Sequence, residues 1–467
     1  MHIHILGVCG TFMGGLAALA KAAGHEVSGS DSNVYPPMSV QLKRIGVEII
    51  EGYDPAQLVP EPDCIVIGNA MSRGNPVVEA VLDRELPYSS GPQWLAENVL
   101  RGRHVLAVAG THGKTTTASM LAFLLEDAGL KPGFLIGGVP GNFNESARFG
   151  DSNLFVVEAD EYDTAFFDKR AKFVHYRPRT VVLNNLEYDH ADIYKNVDEI
   201  IWQFHQLLRT VPGKGKVIIN SADGNLQALI DKGCWTPIES FGLSYGDWRG
   251  EFLDASERHL AIHGPGGEHS ETLWSLAGLH NLENALAAVA AAHSVGVPFE
   301  AAVASLSRFE GVKRRMERTA TVADVPVYDD FAHHPTAIRR SLESLRKRYP
   351  GRRIVVALEP RSNTMKLGVH NDSLADSLAA ADVAFILSPE ELGPGLERGL
   401  RKLKGRTRLF ADYDSLVAGI VRNAEPHDVL VFMSNGGFGG VRQKVTAALQ
   451  QARDASVVTA DVGQFTN

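Results

Sequence analysis

Apolar residues fall along this chain in short continuous runs, each closed by glycine, asparagine or a carboxylate, and between the runs apolar positions recur at helical spacing. Ile3 to Leu6, Glu26 to Ser30, Cys64 to Ile67, Val105 to Val108, Leu154 to Val157, Thr180 to Leu183 and Lys216 to Asn220 read as strands. Val325 to Tyr328, Ile354 to Leu358, Val383 to Leu387 and Val429 to Met433 continue the series. Most are apolar at every position rather than at alternate ones, the pattern of strands covered on both faces in a parallel sheet. Helical patterns run over Leu16 to Ala23, Thr116 to Ala128, Gly278 to Ala292 and Thr336 to Arg348. Strand and helix alternating in this way predict an α/β fold with parallel sheets, and such sheets place ligands at the C-terminal ends of their strands.

A chain of 467 residues is too long for one core, and at about 150 residues per domain it divides into three. The expected domains are residues 1–102, a Rossmann-like nucleotide-binding unit; 103–310, a central unit; and 311–467, a second Rossmann-like α/β unit. The polar stretch from Ser89 to Arg103 reads as the first linker and the basic Lys313-Arg-Arg cluster as the second hinge. Gly246 to Ser270 is polar and irregular, a small β excursion, and Arg453 to Asn467 lacks apolar periodicity and reads as a frayed tail.

The chemistry gathers at strand ends. Val105 to Val108 runs into Gly110-Thr111-His112-Gly113-Lys114-Thr115-Thr116 and then directly into a helix. The glycines let backbone N–H groups face phosphate oxygens, and the helix turns its positive end to the same anion. Lys114 then neutralises phosphate charge and the Thr115 hydroxyl is placed for Mg²⁺. Val108 stands where the usual phosphate-loop pattern has its first glycine, so this loop is a shortened relative. Glu158-Ala-Asp-Glu ends the Leu154 strand and suggests a metal-binding carboxylate, and His190 stands between Asp189 and Asp192 past the Thr180 strand.

Four further stretches carry polar groups at element ends. In the first domain Gly7 and Gly10 offer a backbone cradle, with Gly14 and Gly15 behind them. Cys9 and Phe12 stand where a GxGxxG dinucleotide fingerprint needs glycine, which weakens a nicotinamide or flavin reading. Asp31 ends the second strand, open either to a ribose or base or to a turn-capping role. Gly68-Asn69 ends another. His280, Asn281 and Asn284 fall in the first turns of the Gly278 helix, where an asparagine amide can pair with an adenine edge or cap the helix. In the last third, Asp330 and His333 follow one strand; Arg361, Ser362, Asn363 and Lys366 follow a second; and Ser434-Asn-Gly-Gly-Phe-Gly-Gly follows a third.

A formal net charge of −9 at pH 7 disfavours nucleic acid or an anionic membrane as partner. Three dispersed cysteines, Cys9, Cys64 and Cys234, give neither a disulfide framework nor a structural zinc site. With no basic leader and no apolar run long enough to span a bilayer, the expected location is cytoplasmic.

The loops in this order, GTHGKTT, EADE, DHAD, HNLEN, KRR and DDFAHHPT, resemble the Mur ligase family of ATP-dependent amide ligases over nearly the whole chain. The first-domain GVCGTFMGGLA with SGSD resembles the members that bind UDP-N-acetylmuramate. GNAMSRGNP, EADEYD, EPRSNTMKLG and SNGGFGG resemble those that join the tripeptide L-Ala-γ-D-Glu-meso-diaminopimelate to that sugar nucleotide. The members that add free L-alanine are the alternative. The resemblance implies ATP and Mg²⁺ as cofactors and no membrane insertion. It assigns Lys114 and Thr115 to the γ-phosphate and Mg²⁺, Glu158 and His190 to metal, Asn281 and Asn284 to adenine, and Arg315, Asp330 and His333 to ATP from the third domain. Gly7, Gly10, Asp31 and Asn69 would line the UDP site. Several relatives carry a carbamylated lysine beyond the DHxD histidine; this chain has Gln203-Phe-His-Gln there, so that modification is not expected. Outside the class, a dehydrogenase with a regulatory ATPase domain and a non-catalytic nucleotide scaffold are the competing readings.

Overall fold

The structure is a computed structural model that describes residues 1–34, 38–361, 363–366, 371–388, 398–403 and 405–463, with the backbone alone at 363, 366, 371–372 and 455–463. Three large sheets follow one another along the chain, with a separate two-stranded hairpin beside the second. The first contains β1 (His2–Leu6), β2 (Glu26–Asp31), β3 (Glu48–Glu51), β4 (Cys64–Ile67) and β5 (Tyr88–Ser90), all parallel, in the order β3-β2-β1-β4-β5. The order reverses at β1, and the Gly7 loop leaves from that point.

The second sheet has ten strands. Its parallel middle is built from β6 (His104–Ala109), β7 (Gly133–Leu135) with antiparallel β8 (Ala147–Arg148), and β9 (Leu154–Glu158). A separate hairpin, β10 (Asp163–Ala165) and β11 (Asp168–Ala171), precedes β12 (Thr180–Leu183), β13 (Lys216–Asn220) and β14 (Ile238–Gly242). The polar stretch expected to be a small excursion instead extends this sheet through β15 (Trp248–Phe252), β16 (His259–His263) and β17 (His269–Leu273). Trp248 and the short run Leu260, Ala261 and Ile262 bury completely, while the flanking positions are polar or exposed. β6 lies between β9 and β12, which makes its C-terminal end the point where the order reverses and sets the loops after Val108, Glu158 and Leu183 side by side.

The third sheet runs β18 (Glu317–Val322), β19 (Val325–Asp330), β23 (Val429–Met433), β20 (Ile354–Leu358), β21 (Val383–Leu387) and β22 (Thr407–Phe410), with β18 alone antiparallel. β23 sits between β19 and β20, so the ends carrying Asp330, Ser434 and Glu359 are neighbours.

Three local expectations change. The helix after the first glycine loop starts at Thr11, four residues beyond Gly7, and takes Gly14 and Gly15 inside it. Both are buried, and a Cβ on Gly15 would come within 3.3 Å of Ala147 in the second sheet, so these glycines serve close packing, not anion binding. The polar stretch expected as a linker is helical over Gly91–Leu95 and Ala96–Leu100, because Trp94, Leu95, Val99 and Leu100 form an apolar stripe that buries. At the other end, the helix Val441–Gly463 runs through most of the stretch expected to fray, with no proline and no glycine before its last residue.

Burial in the first sheet has a pH consequence. His4 is fully buried between Ser28 Oγ (2.9 Å) and Ser30 Oγ (3.2 Å), and desolvation pushes its pKa down to about 4. Between that value and about 6.5 the unfolded chain binds a proton that the folded chain refuses, so stability falls as pH falls through this window. Chemical denaturation of wild type and His4→Gln from pH 7 to pH 5 is expected to show a shallower loss in the variant; parallel curves would remove His4 as the cause.

Candidate active site

The phosphate loop hangs from β6 with Gly110 at φ +141° and Gly113 at φ +79°, conformations that favour glycine. A Cβ on Gly110 would also meet Asn184 and Asn185 at about 3.0 Å, so the loop is drawn against the end of β12. Asn185 fastens it there: its Oδ1 accepts from His112 N (2.8 Å) and its Nδ2 donates to His112 O (3.1 Å). Thr111 Oγ1 donates to Glu187 O (3.2 Å) and accepts from Glu187 N (2.8 Å). The helix Lys114–Asp127 follows without a spacer, and its side chains from Ala118 to Leu125 are buried.

Three charged side chains meet at the mouth of this loop. Lys114 Nζ donates to both oxygens of Glu161, at 3.0 and 2.7 Å, and His190 Nε2 lies 3.1 Å from Glu161 Oε1. The Glu161 side chain is only 2% exposed. Burial alone would neutralise all three groups, but they face one another. Lys114 and the His190 hydrogen bond hold the Glu161 carboxyl below its usual range, and Glu161 and Asp160 hold the Lys114 ammonium above its own. His190 is likewise held above its usual value by Glu161 and Asp189 against the cost of burial. Glu161 was not singled out from sequence, although it stands three residues beyond Glu158 in the same acidic run and was the available signal.

Glu158 makes a different set of contacts. Its Oε1 accepts from Thr115 Oγ1 (2.8 Å) and its Oε2 from Gly137 N (2.6 Å), while Arg315 Nη2 reaches across from the third domain to donate to Thr115 Oγ1 at 2.9 Å. Hydroxyl and carboxylate oxygens side by side are hard donors that suit Mg²⁺, with phosphate and water to complete its shell. Glu158 and His190 both line the cavity described next but are not hydrogen-bonded to each other.

Two cavities share the loop. One, of about 610 Å³, is walled by Thr111 to Thr115, Glu158, Asp160, Tyr162, His190, Arg315, His333 and His334, and by Arg361, Thr364 and Asn435 to Gly437 of the third domain. Thr11 and Phe12 close it from the first domain. The other, of about 590 Å³, is walled by Gly113, Thr116, His280, Asn281, Asn284, Asp330, Arg340 and Arg348. His112, Gly113 and Arg315 belong to both. The arrangement offers a nucleoside pocket and a reaction pocket on either side of one phosphate cradle.

The remaining expected residues divide. Asn281 lines the second cavity and donates to Ala277 O at 2.7 Å. Asn284 turns its amide inward: Oδ1 accepts from Thr117 Oγ1 (3.0 Å) and Asn184 Nδ2 (3.3 Å), fastening the helix Leu279–His293 to the helix behind the phosphate loop. That oxygen is committed to two donors, while the Asn284 amide still borders the second cavity. Asn284→Ala removes the acceptor of the buried Thr117 hydroxyl, while Asn184 Nδ2 keeps its bond to Thr117 Oγ1 at 2.8 Å, so a loss of about 1–3 kcal/mol is expected, read as a lower Tm; an unchanged Tm would remove this buckle. His280 lines the second cavity, and desolvation with the nearby Arg340 charge pushes its pKa down to about 3, so it stays neutral. Asp330 is a buried brace that accepts from Ser341 Oγ at 2.6 Å, with its carboxyl raised by burial, and His333, with Nδ1 3.0 Å from Phe331 O, is pushed down to about 4.

In the first domain, Asp31 Oδ2 accepts from Cys9 N and its Oδ1 from Asn33 N, both at 2.9 Å. Of the two roles open to it, bracing the glycine turn is the one displayed. Gly7 and Gly10 form that turn and Asn69 lies exposed past β4; none of the four borders the two cavities. Arg361 is exposed into the reaction pocket, Ser362 lies outside the described residues, and of Asn363 and Lys366 only the helical backbone is described.

Residues 2–103 match the domain family described as Mur ligase family, catalytic domain; residues 108–292 match the Mur ligase middle domain; and residues 314–436 match the Mur ligase, glutamate ligase domain. Together they account for most of the chain. The chain belongs to the Mur ligase family. Among Mur ligases it is 53% identical to the UDP-N-acetylmuramate--L-alanyl-gamma-D-glutamyl-meso-2,6-diaminoheptandioate ligase of Escherichia coli K12, over 98% of this chain and all (100%) of that one. The crystal structure of a murein peptide ligase from Psychrobacter arcticus superposes with a TM-score of 0.77 at 47% identity, over 96% of this chain and 99% of that one. A UDP-N-acetylmuramate--L-alanine ligase from a Psychrobacter species is 32% identical over 95% of this chain and 94% of its own length. The three sheets are therefore those of a Mur ligase, and no helix among the described residues is long and apolar enough to cross a membrane.

Proposed function

We propose that this chain is the ATP-dependent ligase that joins L-Ala-γ-D-Glu-meso-diaminopimelate to the lactyl carboxylate of UDP-N-acetylmuramate, returning murein tripeptide to the cell-wall precursor pool in the cytoplasm. The observation that carries this reading is the reaction pocket: Lys114, Glu158 and His190 share it with Arg361 of the third domain and with Thr11 and Phe12 beside the glycine turn of the first. The relatives named for this tripeptide reaction span the chain end to end. In this reading residues 1–102 hold the UDP-sugar, 103–310 the ATP, and 311–467 the peptide.

The chemistry follows from charge. A carboxylate is a poor electrophile, so the γ-phosphoryl group of ATP moves to a lactyl oxygen, giving an acyl phosphate and ADP; the peptide amine then attacks the acyl carbon and phosphate leaves. Lys114 and Arg315 stand where negative charge spreads over the transferring oxygens, and stabilising that charge is the main catalytic effect available to such a site. Thr115, Glu158 and His190 would hold Mg²⁺, which when bound neutralises phosphate charge. Glu161 keeps Lys114 extended and charged until phosphate displaces it. Closure of the third domain excludes the water that would hydrolyse the acyl phosphate.

Incubation with ATP, Mg²⁺ and UDP-N-acetylmuramate but no amine is expected to let hydroxylamine trap a UDP-sugar hydroxamate with stoichiometric ADP. Formation of AMP and pyrophosphate instead would replace the phosphoryl-transfer route with adenylation.

A further inference from the structure

His112, Glu187 and His334 each place one donor atom within 4.8 Å of the other two. His112 belongs to the phosphate loop, Glu187 to the loop after β12, and His334 to the third domain, where it precedes the helix Pro335–Arg348. His112 Nε2 is 3.4 Å from Glu187 Oε2, and His334 Nδ1 is 3.9 Å from the same oxygen. The two imidazole rings lie with centroids 4.5 Å apart. None of these contacts enters the phosphoryl-transfer chemistry above.

We propose that these three residues form a second metal seat, selective for a divalent transition ion of the Zn²⁺ or Co²⁺ type, that fastens the third domain to the phosphate loop. Spacing supports it first. Metal–ligand bonds of about 2.0–2.1 Å in a tetrahedral site set the donor atoms roughly 3.3 Å apart, so the His112–Glu187 pair already has that separation and His334 needs only a small movement. Donor chemistry supports it next. Two imidazoles and one carboxylate are the ligand type of zinc and cobalt, whereas Mg²⁺ prefers a shell made mainly of oxygens, such as those of Thr115 and Glu158 with phosphate and water.

The seat is also held in place from behind. Thr336 Oγ1 donates to Glu187 Oε2 at 2.7 Å, the kind of outer contact that orients a ligating carboxylate. The backbone bonds between the His112 and Glu187 loops described above fix two of the ligands to one frame. His334 Nδ1 accepts from Thr336 N at 3.2 Å, a bond that a metal ion would replace by taking the same lone pair. The His112 and His334 side chains are 13% and 7% exposed, while Glu187 at 34% leaves a path for the ion. Because the ligands come from both domains, occupancy would hold them together and slow the opening that each catalytic cycle requires.

The test is a titration of the chelator-treated full chain with Co²⁺ in excess Mg²⁺ and without nucleotide, so it does not depend on the ligase reaction. The expected result is an intense visible band of tetrahedral Co²⁺ saturating at about one ion per chain. His112→Asn, Glu187→Gln and His334→Ala, in three separate segments, should each weaken the band's midpoint at least about 10-fold. His190→Ala should leave it unchanged. Each variant's Tm reports whether it remains folded, and the near-isosteric Glu187→Gln keeps the test decisive if a histidine variant does not. A weak octahedral spectrum in the wild type, equal midpoints in wild type and Glu187→Gln, or loss of the band in His190→Ala would each overturn the seat.

Discussion

Lys114→Met is expected to reduce ligation by more than about 10³-fold while leaving UDP-N-acetylmuramate binding nearly intact, because it removes the cation that a phosphoryl-transfer site spends its binding energy on. The structure adds a complication. Lys114 is also the main partner of Glu161, and deleting one member of a buried ion pair costs about 3–5 kcal/mol by stranding the other charge. A loss of activity could then reflect a loosened fold. The double variant Lys114→Met/Glu161→Gln separates the two, since the neutral amide no longer needs the ammonium: stability should return towards wild type and turnover should not. Recovery of activity together with stability would mean that Lys114 acts only as a structural partner. A single variant retaining a tenth of wild-type turnover would remove the phosphate-loop assignment altogether. Retained sugar-nucleotide binding, measured calorimetrically, is expected because the Gly7 turn and its Asp31 brace belong to a separate sheet.

The parts of this fold that could be read from sequence are those in which one physical requirement dominates. Strands buried on both faces must be apolar throughout, and β6, β9, β12, β13, β20, β21 and β23 were found within about two residues at either end on that ground alone. The β15–β17 strands were missed as strands of the main sheet because their apolar residues are few: β15 alternates, β16 has a run of only three, and β17 buries none. Gly14 and Gly15 misled for a related reason: glycine serves backbone contact with an anion and close helix packing equally well, and only the neighbours across the gap, Met38 for Gly14 and Leu135 with Ala147 for Gly15, decide between them. The site shows the same limit. Lys114, Glu158 and His190 were legible as types past strand ends and Arg315 as part of a basic hinge, but which carboxylate faces the lysine depends on the turn geometry after β9, and it is Glu161. The bonds that Asn284 accepts from Thr117 and Asn184 were not legible, because those partners lie 167 and 100 residues away.

The choice of acceptor rests on the third domain, and free L-alanine is expected to be a poor substrate, with kcat/KM at least about 10²-fold below that of the tripeptide. Alanine brings one methyl, one amine and one carboxylate; the tripeptide brings two further carboxylates and a zwitterionic diaminopimelate end, which need donors spread over an open wall. Arg361 stands on that wall beside Asn435, Gly436 and Gly437. A Cβ on Gly436 would come within 2.8 Å of the Arg361 Cζ, so glycine there is what lets the guanidinium lie over the loop. Arg314 Nη2 donates to Ser434 O at 2.9 Å and also to Gly436 O, holding the loop's carbonyls back from the pocket. An exposed guanidinium fork beside such a loop suits a peptide carboxylate, which it can bind through two parallel hydrogen bonds. Losing a hydrogen bond to a charged group is worth about 1.5–3 kcal/mol, so Arg361→Ala should raise the tripeptide KM about 10- to 100-fold with little change in the KM for ATP. Arg361→Lys should recover only part of this, because a point charge cannot reproduce the fork. Equal rises in both KM values would mean that Arg361 merely shapes the domain junction, and comparable kcat/KM for L-alanine and tripeptide in the unmodified enzyme would assign it instead to the alanine-adding reaction.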